Sequence, residues 1–327
     1  MSSNKLTLTP ISYRMRITMN SQNRRAKRRT QPTSLQRFLG SGLVTGAGIW
    51  ISKYAPPLLG YGVADLISGL INRLQPEIYW VVHANLRQVV GPQMDEETLH
   101  RMVRQVFRNN ARNNYDFWHL VGQGLEAIRT AIHVPSDAWD YIEQTQQRGK
   151  GLIVVGVHTG NFNLFLLTLA AHGIEVQVLG LAIPPGGGFA LMDQMRVQAG
   201  LHLTSINVPT LRQAIRRLRN GGIVVTGIDR PVEETAERVE FFGRPAALPT
   251  GHVRLALKTD AAILVASPYR DSRGVNTVRF APPLEMVRTG DPDEDFSINL
   301  RRVTAQLEEF IRAHPEQWSI FLPVWPD

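Results

Sequence analysis

The residue best placed to do chemistry is His158, in the stretch Val154-Val155-Gly156-Val157-His158-Thr159-Gly160-Asn161-Phe162-Asn163-Leu164-Phe165-Leu166. A β-branched apolar run leads into it and an apolar helical pattern leaves it, so the imidazole is delivered at the end of a buried strand. Gly156 and Gly160 bracket a tight turn, and backbone N–H groups at the start of the following helix can stabilise an anion. Phe162, Leu164, Phe165 and Leu166 supply an apolar wall. An imidazole in that setting suits general-base work, activating an alkoxide for attack on an acyl carbonyl. The competing reading of a lone histidine at a strand end is a hydrogen-bonded structural residue.

Other chemistries lack their residues. The chain has no cysteine, which removes disulfides, thiolate metal sites and cysteine nucleophiles together. No Gly-x-Ser-x-Gly elbow occurs, against a serine hydrolase. Pro184-Pro185-Gly186-Gly187-Gly188-Phe189 lacks the Lys-Ser/Thr ending of a phosphate loop and reads as a flexible loop at the mouth of the site. His83, His100, His119, His133, His172, His202, His252 and His314 show no metal-ligand spacing, so neither metal nor organic cofactor is expected.

The elements that must position His158 follow from the pattern after Gly149. Short β-branched runs, Leu152 to Val157, Val176 to Leu181, Ile223 to Ile228 and Ala262 to Ala266, alternate with helices expected near Asn163 to Ala171, Ala190 to Ala199, Leu211 to Arg219 and Gly251 to Lys258. Such alternation predicts an α/β fold, a mainly parallel sheet flanked by helices on both faces. Ligands of such sheets bind beyond the carboxyl ends of the strands, where His158 sits. Asp229-Arg230-Pro231 closes another buried strand, so Asp229 and Arg230 belong to the same edge, Asp229 reading equally as a turn residue.

With 327 residues, 43% of them hydrophobic, the chain can bury a large core. The division expected is a basic flexible tail (1–36), a helical membrane-associated lead-in (37–149) and the α/β domain (150–327). Leu70 to Ile132 reads as helical, with Asp95-Glu96-Glu97-Thr98 opening a helix whose Leu99, Met102, Val103, Val106 and Phe107 share a face. The net charge of +8 is gathered at the amino terminus: no Asp or Glu precedes Asp65, whereas Lys5, Arg14, Arg16, Arg24, Arg25, Lys27, Arg28, Arg29, Arg37 and Lys53 all do. Two apolar runs follow, Phe38 to Ile51 and Ala55 to Ile71, the second broken by Pro56-Pro57 and Asp65. Neither is a clean spanning helix of roughly 20 residues, and the first begins too far from Met1 for a signal peptide. The pair reads as a segment lying in or dipping into a membrane face, with the basic residues on anionic headgroups. The plainer alternative is two buried core helices. Nucleic-acid binding through the tail is a third reading, against which the apolar segment argues.

The stretch VGVHTGNFN resembles the histidine block of the bacterial lipid A late acyltransferases and the related phosphatidylinositol mannoside acyltransferases, within the lysophospholipid acyltransferase superfamily. The resemblance continues in order: His83-Ala84-Asn85-Leu86 with Gln93 to Glu97, Arg196 followed by Gly200, Leu211 to Asp229, Val239 to Pro245 with its Phe-Phe-Gly loop, and the helix from Gly251 to Ala256. It implies transfer of a fatty acyl group, from acyl-coenzyme A or acyl carrier protein, to a hydroxyl of a membrane glycolipid or phospholipid. The implied location is the cytoplasmic face of the inner membrane, as a peripheral or monotopic protein. His158 would be the base, Arg196 and Arg230, and more weakly Arg244, would hold phosphate, and Gly160 and Phe162 would line the substrate site. Phe162, Phe165, Phe241 and Phe242 read either as acyl-groove wall or as plain core.

The chain departs from the family pattern at one position. The carboxylate that lies five residues after the histidine, and orients it, is here Asn163. An amide oxygen can accept from imidazole but carries no charge, and in a serine-protease triad the Asp-to-Asn change costs on the order of 10⁴ in turnover. Three explanations stay open. Another carboxylate supplies the charge, with Asp229, Glu233, Glu237 and Glu240 as candidates; the acceptor is easier to deprotonate; or the protein is a non-catalytic lipid-binding relative with the same fold.

Overall fold

In the computed structural model the β-branched runs form one sheet, because each is apolar on both sides and needs a covering layer on each. Leu152–Gly156 (β1) lies between Ile223–Gly227 (β4) and Ala262–Arg270 (β7), parallel to both, with Val176–Gly180 (β2) beside β4, and Leu203–Ser205 (β3) beside β2. Asn276–Phe280 (β8) closes the other edge antiparallel to β7. A separate hairpin pairs Val239–Phe241 (β5) with Arg244–Ala246 (β6). The mainly parallel α/β sheet expected from the alternation is thus present. The structure describes residues 42–180, 193–194, 196–197, 201, 203–232 and 237–326. The basic tail, the start of the first apolar run, the Pro184 to Phe189 loop, Glu233 and most of the helix expected over Ala190 to Ala199 lie outside the described residues.

Alternation along the strands sorts the core into two layers. Ile153, Val155 and Val157 face one side with Val224, Ile263 and Val265. They pack on the helices Val208–Arg219 (α8), Gly251–Thr259 (α9) and Pro292–Ala313 (α10) through Ala214, Leu218, Val253, Ala256, Val303, Leu307 and Phe310. Leu152, Val154, Val225 and Leu264 face the other side, under Phe162–Ala171 (α7), whose Leu164, Phe165, Leu167 and Leu169 are buried. Several elements were not expected. β3 is only three half-exposed residues, and β8 carries Asn276, Thr277 and Arg279, so neither has a clear apolar run. The hairpin and α10 were likewise not delimited from sequence.

The amino-terminal half is a set of helices: Gly42–Tyr54 (α1), Pro57–Leu74 (α2), Glu77–Val90 (α3), Glu96–Gln123 (α4), Leu125–Arg129 (α5) and Ser136–Gln147 (α6). α4 opens as expected, with the Asp95 side chain accepting from Thr98 N–H and Glu96 and Glu97 in its first turn. Its Leu99, Val103, Val106 and Phe107 close a small core with Tyr79, Val82 and Leu86 of α3. The second apolar run breaks at Pro56-Pro57, which part α1 from α2, but not at Asp65, which lies within α2. Pro57 takes the first helical position, where its missing N–H costs nothing, and Asp65 is neutralised by Arg108 and Arg112 of α4 at 2.7–2.9 Å. That pairing holds the Asp65 carboxyl at a pKa of about 2, mainly through the Arg108 hydrogen bond.

The buried side of α2 consists of Gly60, Ala64 and Ser68, and a Cβ on Gly60 would fall 2.0 Å from the Tyr115 ring of α4. Small residues therefore face the protein, and large apolar ones face outward: Leu58 (85% exposed), Leu59, Val63, Leu66 (73%), Ile67, Leu70 and Leu74. The reading of two buried core helices does not fit this arrangement. Among the described residues no helix is long and apolar enough to cross a membrane.

Candidate active site

β1 and β4 are neighbours in register, with Gly156 opposite Gly227. Two residues beyond that pair lie His158 and Asp229, so parallel pairing sets them side by side at the carboxyl edge. The imidazole Nδ1 lies 2.5 Å from Asp229 Oδ1, while Asp229 Oδ2 accepts from the backbone N–H of His158 at 2.8 Å and from Trp318 Nε1–H at 2.9 Å. Asp229 is fully buried. Burial alone would raise its pKa, but the His158 charge and these hydrogen bonds outweigh it and hold the carboxyl below its usual range. An ionised carboxylate can only accept, so Nδ1 donates to it, and in the neutral form of the ring the lone pair is on Nε2.

The surroundings leave the ring little freedom. Phe162 packs edge-on against it, centroids 4.7 Å apart. A Cβ on Gly227 would come within 2.7 Å of the imidazole Cε1, so glycine there gives the ring its room. Gly160 adopts φ +47°, and a Cβ on it would meet the Pro268 carbonyl oxygen at 2.6 Å, a position only glycine fits. Its N–H donates to Gln317 O at 3.3 Å and its carbonyl accepts from Asn113 Nδ2 at 2.7 Å. Gly160 thus shapes the turn with both backbone groups already engaged. Asn161 caps α7, accepting from Leu164 N–H and donating to Asn113 O.

A segment after α10 lies across the turn. Thr159 bridges Trp318, and Ser319 N–H donates to His158 O at 2.8 Å. Gln317 exchanges two hydrogen bonds with the Arg270 backbone, and Asn85 of α3 holds Ile320 O, Leu322 O and Val324 N–H. Trp318 packs on Phe241 of the hairpin, which stacks on Trp325. Sequence reasoning missed this strap and with it the indole that bonds Asp229. An aromatic-rich ending was the only signal, and nothing in its spacing pointed to His158.

Asn163 is placed differently from the role its position suggested. It is buried, and its Oδ1 accepts from Arg196 Nη2 at 2.8 Å rather than from the imidazole. Burial lowers the Arg196 pKa, with Asp193 opposing. Of the carboxylates named as substitutes, Asp229 meets the histidine. Glu237 instead bonds Thr250 at 2.6 Å and Arg254, and Glu240 is exposed on the hairpin. Arg230, exposed, follows Asp229 at the same edge, whereas Arg244 is exposed on β6. Phe165, Phe241 and Phe242 are buried core residues, which leaves Phe162 as the phenyl ring against the imidazole.

Comparison with known proteins gives a consistent result. A family model described as bacterial lipid A biosynthesis acyltransferase matches residues 35–326. The chain is 24% identical over 189 residues to phosphatidylinositol mannoside acyltransferase of Mycobacterium tuberculosis, in strains CDC 1551 / Oshkosh and H37Rv, covering 57% of this chain and 58% of each relative. Similarity to the protein of that name from Mycolicibacterium smegmatis is 22% over 189 residues, 57% of this chain and 60% of the relative. The matched stretch therefore spans somewhat over half the length of these curated relatives.

Proposed function

Because the chain belongs to the bacterial lipid A biosynthesis acyltransferase family, we propose that it transfers a fatty acyl group from a thioester to a hydroxyl of a membrane glycolipid or phospholipid. The observation that carries this reading is the buried Asp229 carboxylate on His158 Nδ1, which leaves Nε2 as a base at the carboxyl edge of the sheet. Nε2 takes the proton of the acceptor hydroxyl as its oxygen attacks the thioester carbonyl. Asp229 stabilises the imidazolium so formed, the tetrahedral intermediate collapses, and the departing sulfur receives that proton. Developing charge on the carbonyl oxygen would be met by backbone N–H groups or by arginine. No covalent enzyme intermediate is required.

Acyl-coenzyme A and acyl carrier protein both present a phosphate near the thioester arm, and a phospholipid acceptor carries another. Arg196, whose partner Asn163 is neutral, and Arg230 beside the dyad are suited to such an anion. The acceptor would be reached from the cytoplasmic face of the inner membrane, with the outward apolar face of α2 lying in the interface and the basic tail on anionic headgroups. The alternative of a non-catalytic lipid-binding relative drew on Asn163. With a carboxylate already on the imidazole, that substitution no longer argues for it.

The test is acyl transfer from labelled acyl-coenzyme A and acyl carrier protein to a total lipid extract by purified wild type and His158→Ala. Product that disappears in the variant supports the enzyme. A wild type inert with both donors, or a variant that matches it, overturns the reading.

A further inference from the structure

Away from the sheet edge, the hinge between α3 and α4 gathers a second group of side chains with ligand chemistry. His83 stands in α3, and Glu96 and His100 stand one turn apart at the start of α4, on one face at i, i+4 spacing. The four-residue connection after Gly91 folds the two helices back so that these residues converge. His83 Nε2 lies 2.9 Å from Glu96 Oε2 and His100 Nε2 lies 4.0 Å from the same oxygen. One ligand atom from each of the three falls within 4.8 Å of the others, the only such trio among the described residues.

The geometry points to a divalent transition-metal site, zinc-type, built from His83, Glu96 and His100. Two imidazoles and a carboxylate form a borderline N/O donor set that suits Zn²⁺ and excludes a hard Ca²⁺ or Mg²⁺ cage. The surroundings are those such a site needs. His100 Nδ1 is 2.7 Å from the hydroxyl of buried Tyr79, and donation from Nδ1–H to that oxygen leaves Nε2 for the metal. Trp80 lies against both rings, at 5.4 Å and 6.0 Å between centroids, and walls one side. Arg87 holds Glu96 Oε1 and Met94 O, fixing the carboxylate while Oε2 stays turned to the histidines.

A metal at about 2.0–2.2 Å from each ligand spaces tetrahedral ligand atoms roughly 3.3–3.6 Å apart, so His100 must approach Glu96 while His83 and Glu96 part slightly. Glu96, the most exposed of the three, can supply that movement. The fourth position opens to solvent and takes water. Bound there, the ion cross-links α3 to α4, and α3 also carries Asn85 and Gln88, which hold the strap and the Phe242 carbonyl of the hairpin. The expected role is a brace on the elements behind the dyad, separate from acyl transfer.

The experiment titrates chelator-treated full-length protein with Zn²⁺ by calorimetry, follows the thermal midpoint, and records the Co²⁺ absorption spectrum. One ion per chain, a raised midpoint and a low-coordinate Co²⁺ spectrum are expected in wild type. His83→Ala and His100→Ala should each weaken Zn²⁺ binding by more than about 10-fold, and Tyr79→Phe by about 10-fold. His314→Ala, which removes a histidine outside the trio, serves as the control and should bind like wild type. Absence of Zn²⁺ binding by folded wild type overturns the proposal, as does unchanged affinity in His100→Ala. If the two alanine variants do not fold, wild-type spectra lacking nitrogen ligation overturn it instead.

Discussion

Asp229 is a fully buried carboxylate, and Leu66, 73% exposed, belongs to a row of exposed aliphatic side chains; each departs from the usual sorting of polar and apolar groups. Around Asp229 the protein compensates completely, with an imidazole, a backbone N–H and an indole on its two oxygens. Around Leu66 the described structure supplies no cover, and the same is true of Leu58, Leu59, Val63, Leu70 and Leu74 along α2. The sheet edge is over-determined from within, whereas α2 presents an apolar face that nothing among the described residues covers. A buried charge with every partner in place implies a fixed task, and an uncovered apolar face implies an apolar neighbour.

The largest effect should come from removing compensation at the edge. Asp229→Asn keeps the shape but favours the wrong imidazole tautomer, and kcat for acyl transfer should fall by about 10⁴. The same variant has a pH signature. The Asp229 carboxyl lies below its usual range when folded, so its ionisation stabilises the native state at pH values above the ordinary carboxylate pKa of about 4, and that contribution is lost as pH falls through the lowered value. Urea melts should show a stability gap between wild type and Asp229→Asn at neutral pH that closes in acid.

Gly227→Ala tests whether the ring needs its room. The added methyl should push the imidazole aside and cost on the order of 10² in kcat, with far-UV circular dichroism unchanged. On the other side of the comparison, Leu66→Glu with Leu70→Glu changes only exposed positions. Melting should be unaffected, while partition onto anionic vesicles in a sedimentation assay drops by roughly 10- to 100-fold. Retained vesicle binding would mean that another surface makes the contact. The smallest effect belongs to Asn163→Asp. A carboxylate there pairs with Arg196 rather than His158, so kcat should hold while donor KM rises by about 2- to 10-fold. A marked gain in kcat would instead place residue 163 on the imidazole.

The four central strands and the histidine at the end of β1 were legible because β-branched runs and glycine turns are local signals. Asp229 was legible only as one of several carboxylates, since strand order β2-β4-β1 is what makes it the neighbour of His158, and order is not written in any one segment. Position 163 misled for the converse reason: five residues past a histidine is close in sequence, yet the first turn of α7 carries that side chain round toward Arg196. The trio at His83, Glu96 and His100 was invisible to a search for close spacing because its ligands are split between two helices. Trp318 left no trace either, being tied to its partner across 89 residues.

That long tie has a consequence for the order of events as the chain is made. The strands and the dyad precede the strap in synthesis, and Asn85 must wait 239 residues for Val324. At about 5–20 residues per second, the histidine and its carboxylate can be in place seconds before the indole that completes the arrangement. During that interval Asp229 holds the imidazole and the His158 backbone N–H and lacks only the indole donor. The strap thus closes over a dyad whose two members are already side by side, adding the indole to a contact that the sheet has made.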